Sequence, residues 1–215
     1  MGTLSFYLRK LYTIFKGEVL VLPSRVVVLF FFLVLLLLPL VAQDPYLLRI
    51  LILTSIFAIF AASWDLLSGF TGQMNFGHAL FFGVAAYTAA LLNLHAHIPP
   101  WGSIPLGALA AVLTGLIIGI PCLRLKGTYL ALTTLAFPIL LAGIVFAIPN
   151  ITGGELGISG LDRLSGSRVT DYYIVVVIML GLSTIMWKIT DSNTGLIFHA
   201  IREDELAVRT AGINT

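Results

Sequence analysis

The chain reads as a succession of long apolar runs separated by short polar ones. A helix rises about 1.5 Å per residue, so about 20 apolar residues cross the roughly 30 Å hydrocarbon layer of a bilayer. Val26–Ala42 contains no polar residue. Leu47–Trp64 is a second run, with Arg49 near one end, where its guanidinium can reach the interface. Leu66–Leu94 carries no Asp, Glu, Lys or Arg over twenty-nine residues, more than one upright helix needs. Ile104–Leu123, Thr128–Ile148 and Tyr172–Trp187 complete six predicted spans. The pattern predicts an all-α polytopic helical bundle of about six transmembrane helices, the third broken or re-entrant. Residues 1–25 form an N-terminal segment, 26–190 the membrane domain and 191–215 a polar C-terminal segment.

Composition narrows the class. Of 215 residues 59% are apolar and 10% are charged, and the mean hydropathy is +1.03. That leaves too little polar surface to enclose a soluble core, which excludes a soluble enzyme, a disordered linker and a nucleic-acid-binding domain. The net charge of +2 singles out no anionic partner. Cys122 is the single cysteine, so the chain has no intrachain disulfide and no Cys/His cluster for a metal. No bound cofactor is expected.

The scarce charges orient the spans. With a cytoplasmic N-terminus, the inner segments hold Arg9, Lys10, Lys16, Arg25, Arg124, Lys126, Lys188, Arg202 and Arg209, and the outer ones only Arg49, Arg163 and Arg168. Nine basic residues against three follow the positive-inside rule, and the opposite orientation inverts it. Val26–Ala42 is longer than the 7–15 residues of a signal-peptide core, and Leu40 is a poor residue before a cut after Ala42, which favours a span. Leu4, Leu8, Leu11 and Phe15 share one helical face, with Arg9, Lys10 and Lys16 elsewhere. That pattern predicts a short interfacial helix on the cytoplasmic side.

Helices in lipid associate through close approach at small residues. Gly107, Ala111, Gly115 and Gly119 make such a ridge on the fourth span, and Ala79, Gly83, Tyr87 and Ala90 a rougher one on the third. These ridges serve packing within the chain or against another membrane subunit.

The stretch Gly69-Phe-Thr-Gly-Gln-Met-Asn-Phe-Gly-His78 breaks the apolar pattern. Its glycines lower helix propensity, and Thr71, Gln73, Asn75 and His78 bring polar groups that are costly in hydrocarbon. Irregular backbone at membrane depth must be buried in protein or face water. Gly72, Gln73, Asn75, Gly77 and His78 are therefore candidates for a translocation pathway, broken helices being a feature of transporters. The alternative is a kinked helix whose polar groups bond to neighbouring helices. Asp65 lies at the cytoplasmic edge and no second carboxylate sits within a span, which argues against a proton relay. His78 has no partner at helical spacing for metal or base chemistry. His95 and His97 belong to a short outer loop beside Pro99 and Pro100, and the chain has neither HExxH nor GxSxG. No catalytic residue is expected.

The outer segment Pro149–Asp171 is rich in Gly and Ser, with Thr152-Gly-Gly154 and Gly157-Ile-Ser-Gly160 suited to tight turns of positive φ. It meets an external partner or serves as a flexible connection. Beyond the sixth span, Asp191 or Ser192 can cap a helix and Gly212 can end it. Between them Leu196, Ala200, Ala207 and Ala211 alternate with Arg202, Glu203, Asp204 and Glu205. The segment is either an amphipathic helix lying along the membrane or a docking helix whose small apolar face seats in a cytoplasmic protein.

Four blocks then give a specific resemblance. Gly195-x4-Ala-Ile-Arg-Glu-Asp-Glu-x-Ala-x3-Ala-Gly-Ile-Asn214 resembles the coupling loop of ABC-importer permeases, more narrowly the branched-chain amino-acid permeases of the LivH/LivM family. Gly69-x2-Gly-Gln-x-Asn-Phe-Gly-His-Ala-x-Phe-Phe-Gly-x2-Ala-Tyr87 agrees with it. So do Arg124-Leu-Lys-Gly-Thr-Tyr-Leu-Ala-Leu-Thr-Thr-Leu-Ala-Phe137 and Thr152-Gly-Gly-x2-Gly-Ile-Ser-Gly160, which favour the LivM-type subunit. No family role is drawn for Thr134, nor for Asn75 as a member of its block.

The resemblance implies an ATP-driven import permease of a bacterial or archaeal inner membrane. Its expected partners are a second homologous permease subunit, two cytoplasmic ABC ATPase subunits and a periplasmic substrate-binding protein. It implies that Gly195, Ala200, Arg202, Glu203, Asp204, Glu205, Ala207 and Gly212 couple the chain to the ATPases. The chain itself has no GxxxxGK[ST] and no Gly-Lys pair, so energy from ATP is expected from another polypeptide. Members of the family continue past this segment with further helices, so the resemblance also implies a chain truncated at its C-terminus. A passive channel for small polar solutes and a non-transporting membrane scaffold are the competing functions. Leu, Ile and Val are not distinguished from urea or short amides as the substrate.

Overall fold

The computed structural model describes residues 23–41, 44–122, 124, 125 and 127–213. The interfacial helix expected over residues 1–25 therefore lies outside the described residues, except for Pro23, Ser24 and Arg25, which open the first helix. By compactness the chain divides after Leu51. The first unit contains α1 (Pro23–Val41) and the opening turns of α2 (Pro45–Ser68). Asp44 starts α2, its carboxylate accepting from the Tyr46 N–H at 3.2 Å, with Pro45 at the first helical position, where a missing N–H costs nothing.

The second unit continues α2 and adds α3 (His78–Ala96), α4 (Pro100–Cys122), α5 (Thr128–Ala147), the short α6 (Pro149–Thr152), a 3₁₀ turn (Gly154–Leu156), α7 (Arg168–Thr190) and α8 (Asn193–Thr210). There is no strand among the described residues. Five of these helices, α2, α3, α4, α5 and α7, are long and apolar enough to cross a membrane. In the most apolar stretch of each, no more than 17% of residues are buried within the chain. Exposure of so much apolar area to water would cost about 25 cal/mol per Å². The faces therefore belong against lipid or other membrane helices, and the chain is an all-α polytopic membrane protein.

Helix ends differ from the hydropathy pattern where local chemistry intervenes. The run expected over Leu66–Leu94 is divided: residues 66–68 close α2, Gly69–Gly77 is non-helical, and α3 begins at His78. α4 starts at Pro100, four residues before Ile104, because Pro100 suits the first turn of a helix and the Pro99 carbonyl accepts from the Gly102 and Ser103 N–H groups. His95 lies on the last turn of α3 instead of in the loop, and His97 ends that helix in the left-handed region at φ 53°.

The ridge on α4 is used unevenly. A Cβ on Gly107 would collide with the Ala85 carbonyl and meet Ala89 at 3.0 Å, so this glycine lets α3 and α4 approach backbone to backbone. A Cβ on Gly115 would meet only Phe81, at 3.6 Å, and one on Gly119 nothing within 4 Å. α3 and α4 are thus in close contact at Gly107, whereas Gly115 and Gly119 line an open cleft. Gly83, on the third-span ridge, faces Leu141 of α5.

The segment after α5 is built, not slack. Thr152 is buried, its hydroxyl 2.6 Å from the Val145 carbonyl and 2.8 Å from that of Ile148. Gly153, Gly154, Gly157 and Gly160 all take positive φ, as their density suggested. Buried Asn93 of α3 then holds the following loop: its amide donates to the Asp162 carboxylate (3.0 Å) and the Ile98 carbonyl (2.9 Å), and its oxygen accepts from the Asp162 N–H (2.9 Å).

Candidate functional site

The Gly69 and Phe70 N–H groups still bond to the Asp65 carbonyl of α2, but beyond them the break leaves the helical ladder, and in an apolar setting its peptide groups must bond elsewhere. The structure supplies partners from three helices. Trp64 on α2 donates its indole N–H to the Asn75 carbonyl at 2.8 Å, and Ser68 accepts from the Asn75 N–H at 3.4 Å. Thr134 on α5 accepts from the Phe76 N–H at 3.1 Å. Arg202 on α8 donates to the Gly69 carbonyl at 2.8 Å. Within the break, Asn75 folds its own side-chain oxygen back to the Gly77 N–H at 2.7 Å, an Asx turn that leads into α3. The segment therefore combines both expectations: it leaves helical geometry, and its polar groups bond to neighbouring helices.

The space at Gly77 is tight. A Cβ there would lie 3.0 Å from the Thr134 carbonyl and 3.3 Å from the Thr134 Cβ. Pro138, four residues on in α5, has no N–H to give that carbonyl. The break packs against α5 at a point where α5 lacks its own hydrogen bond.

The break lines an open cleft of about 830 Å³. Gly72, Gln73, Asn75 and Gly77 form one wall, Gly115, Ile118, Gly119 and Cys122 of α4 another, and α5 from Thr128 to Phe137 a third. Glu205 of α8 also lines it, alone in bearing charge among the described lining residues. The cleft is mainly apolar, with polar groups converging from the break, as small-solute sites commonly are.

Of the five pathway candidates, His78 is the one that does not line the cleft. Its Nε2 is 2.7 Å from the Ser63 hydroxyl on α2, and its ring packs edge-on against Phe60 at 4.9 Å. Ser63 in turn donates to the Phe60 carbonyl at 2.8 Å. The Ser63 hydroxyl thus stands between the His78 ring and the Phe60 carbonyl. His78 is a clamp between α2 and α3.

The eight coupling candidates gather on α8 and its ends. Ser192 caps the helix, its hydroxyl accepting from the Thr194 N–H at 3.2 Å. Gly195 is buried where α7 turns into α8, and a Cβ on it would collide with the Thr190 carbonyl. At the other end Gly212 takes φ 84°, with Gly212 N–H bonded to the Arg209 carbonyl (3.0 Å) and Ile213 N–H to that of Val208 (3.3 Å), a Schellman closure. Ala200, Glu203, Asp204 and Ala207 are exposed, as are Leu196 and Ala211, so the small apolar face is free of the rest of the chain.

One feature of α8 was not visible in its periodicity. Asp204 leaves helical geometry (φ −157°, ψ 101°), and its carboxylate accepts from the Leu206 and Ala207 N–H groups at 2.8 and 3.1 Å. It caps a second short helix in the middle of the segment. Glu205 then pairs with Arg209 one turn on, at 2.6 Å. Also unread from the sequence were Trp64, Ser68 and Thr134 as partners of the break, and the contact of Phe70 with His199 (ring centroids 5.0 Å apart). No periodic signal links Thr134 to Phe76 or His199 to Phe70, so far apart in the chain, and none reads across the irregular break to Trp64 and Ser68.

A glycine-broken helix beside a cleft in a multi-pass membrane protein is an arrangement found in transporters, and the family match places the chain among transport permeases. The chain is a member of the family described as the branched-chain amino acid transport system / permease component, whose model matches residues 46–215. It is similar to the high-affinity branched-chain amino acid transport system permease protein LivM of Escherichia coli (strain K12), with 30% identity over 191 residues. The LivM protein of Salmonella typhimurium (strain LT2) is similar to the same degree. Each match covers 75% of this chain and 45% of the relative, so the chain spans about half the length of these relatives. No solved structure gives a significant match.

Proposed function

We propose that the chain is a membrane-spanning, LivM-type permease subunit of an ATP-driven importer of branched-chain or chemically related amino acids. The observation that carries this reading is the family match over residues 46–215, which includes the break, the cleft and α8. In this reading the N-terminus is cytoplasmic and the protein sits in a bacterial or archaeal inner membrane. α8 then lies at the cytoplasmic face, and its exposed small residues receive one of two separate ABC ATPase subunits. A second homologous permease completes the path, and a periplasmic binding protein delivers substrate. Gly72, Gln73, Asn75 and Gly77 line part of the route, where backbone polar groups can replace water around a zwitterion. The chain is not an enzyme, and ATP hydrolysis belongs to the partner chains.

Reconstitution decides among the readings. The chain, in its full length and with a homologous second permease and two ABC ATPase subunits, is placed in liposomes, and a binding protein is added with labelled leucine, isoleucine and valine. Uptake that requires ATP supports the proposal. Passive flux without the ATPases would make the protein a facilitator, and no flux under either condition would make it a non-transporting scaffold.

A further inference from the structure

Arg202 is exposed, as are Glu203 and Asp204, yet its side chain is engaged by a distant part of the chain. Its guanidinium donates to the Gly69 carbonyl at 2.8 Å, 133 residues away in the chain. Gly69 follows the last residue of α2, where helix carbonyls lack partners and the macrodipole leaves partial negative charge. Arg202 therefore supplies α2 with a cationic cap from a different helix.

Two further contacts flank that bond. The Arg202 stem lies along Gly72, where a Cβ would come within 3.0 Å of the Arg202 Cγ; Gly72 itself takes φ 71°. One helical turn before Arg202, His199 packs its ring on Phe70. Residues 199 and 202 are neighbours on one helix face. Together they grip Gly69, Phe70 and Gly72, the first residues of the break. The helical path of α8 ends two residues beyond Arg202, at Asp204. The part of α8 that carries the grip is thus separate from the short helix that carries the Glu205–Arg209 pair.

We propose that Arg202 is a positioning residue that ties α8 to the Gly69–Gly77 break, so that displacement of α8 is carried into the cleft wall through this side chain. The inference rests on the reading of α8 as the segment moved by the ATPases. It places Arg202 toward the permease and leaves Glu203 and the exposed small residues as the surface for the motor.

The test has two arms. In the reconstituted complex, R202A is expected to keep the ATPases bound and hydrolysing ATP, while uptake per ATP falls by about tenfold or more; R202K restores part of it. Loss of the ATPases from R202A, or an unchanged ratio of uptake to hydrolysis, overturns the tie and leaves the transport reading standing. In the chain alone, hydrogen exchange at Phe70–Gly77 is expected to speed up about fivefold or more in R202A, with exchange in α4 and α7 unchanged. Unchanged exchange at the break overturns the tie by itself. If the unaltered complex shows no ATP-dependent uptake, the transport reading fails, and the exchange arm still decides whether the tie exists.

Discussion

The Thr134 hydroxyl on α5 accepts a hydrogen bond from the Phe76 backbone N–H, 3.1 Å away and 58 residues distant in the chain. The same hydroxyl is 2.8 Å from the Leu130 carbonyl and 3.0 Å from that of Ala131, to which it donates, so Thr134 joins a helix interior to the break. Thr134→Val keeps the shape and removes both functions. Because Thr134 is buried, the orphaned N–H is expected to cost about 1–3 kcal/mol. Thermal unfolding in detergent should show the loss for valine and little change for Thr134→Ser; equal melting of the valine variant and the unaltered chain would remove Thr134 from the account.

Gly107 and Gly119 belong to one ridge and should answer differently to the same substitution. Gly107→Ala drives a Cβ into the Ala85 carbonyl and is expected to cost about 1–3 kcal/mol by separating α3 from α4. Gly119→Ala meets nothing within 4 Å and gains helix propensity, so it should be neutral or stabilising by up to about 1 kcal/mol. Melting of the two variants side by side checks this. Equal destabilisation would mean that Gly119 faces a surface that the chain alone does not show.

Asn93 is the anchor of the loop after the 3₁₀ turn. Asn93→Ala strips partners from the Asp162 N–H, the Asp162 carboxylate and the Ile98 carbonyl together. A loss of about 1–3 kcal/mol is expected, concentrated locally. Limited proteolysis should cut within residues 157–167 sooner in the variant, and a cleavage rate equal to that of the unaltered chain would contradict the clasp.

Asp204 caps the second half of α8 with two hydrogen bonds. Asp204→Ala is expected to cost that half-helix about 1 kcal/mol, while Asp204→Asn or Asp204→Ser retains most of it. Amide exchange over Glu205–Thr210 is the measurement. If alanine leaves exchange there unchanged, the bend does not depend on the cap.

Much of the fold was legible because burial in lipid imposes length and apolarity on every span. Thr128–Ile148 matches α5 to within one residue, and Gly212 ends its segment as a left-handed closure, since few residues other than glycine tolerate φ 84°. The break was legible from composition: glycine and polar groups inside an apolar run cannot be ordinary helix. Its boundaries were not, because hydropathy does not register where Trp64, Ser68 and Thr134 wait to accept or donate. The bond of Arg202 to the break was not legible for a related reason. Among Glu203, Asp204 and Glu205 it reads as one more charged residue, and its partner, the Gly69 carbonyl, lies 133 residues away in the chain.

The sequence by itself determined that this protein is a helical membrane protein, which apolar run is interrupted and which segment carries the family pattern. These properties depend on the chemistry of contiguous residues against a bilayer. Tertiary structure alone decided that Gly107 packs while Gly119 opens a cleft, that His78 clamps Ser63 instead of lining that cleft, and that Arg202 reaches the end of α2. Each of these depends on hydrogen bonds or steric contacts between residues far apart in the chain, whose partners a linear pattern does not name.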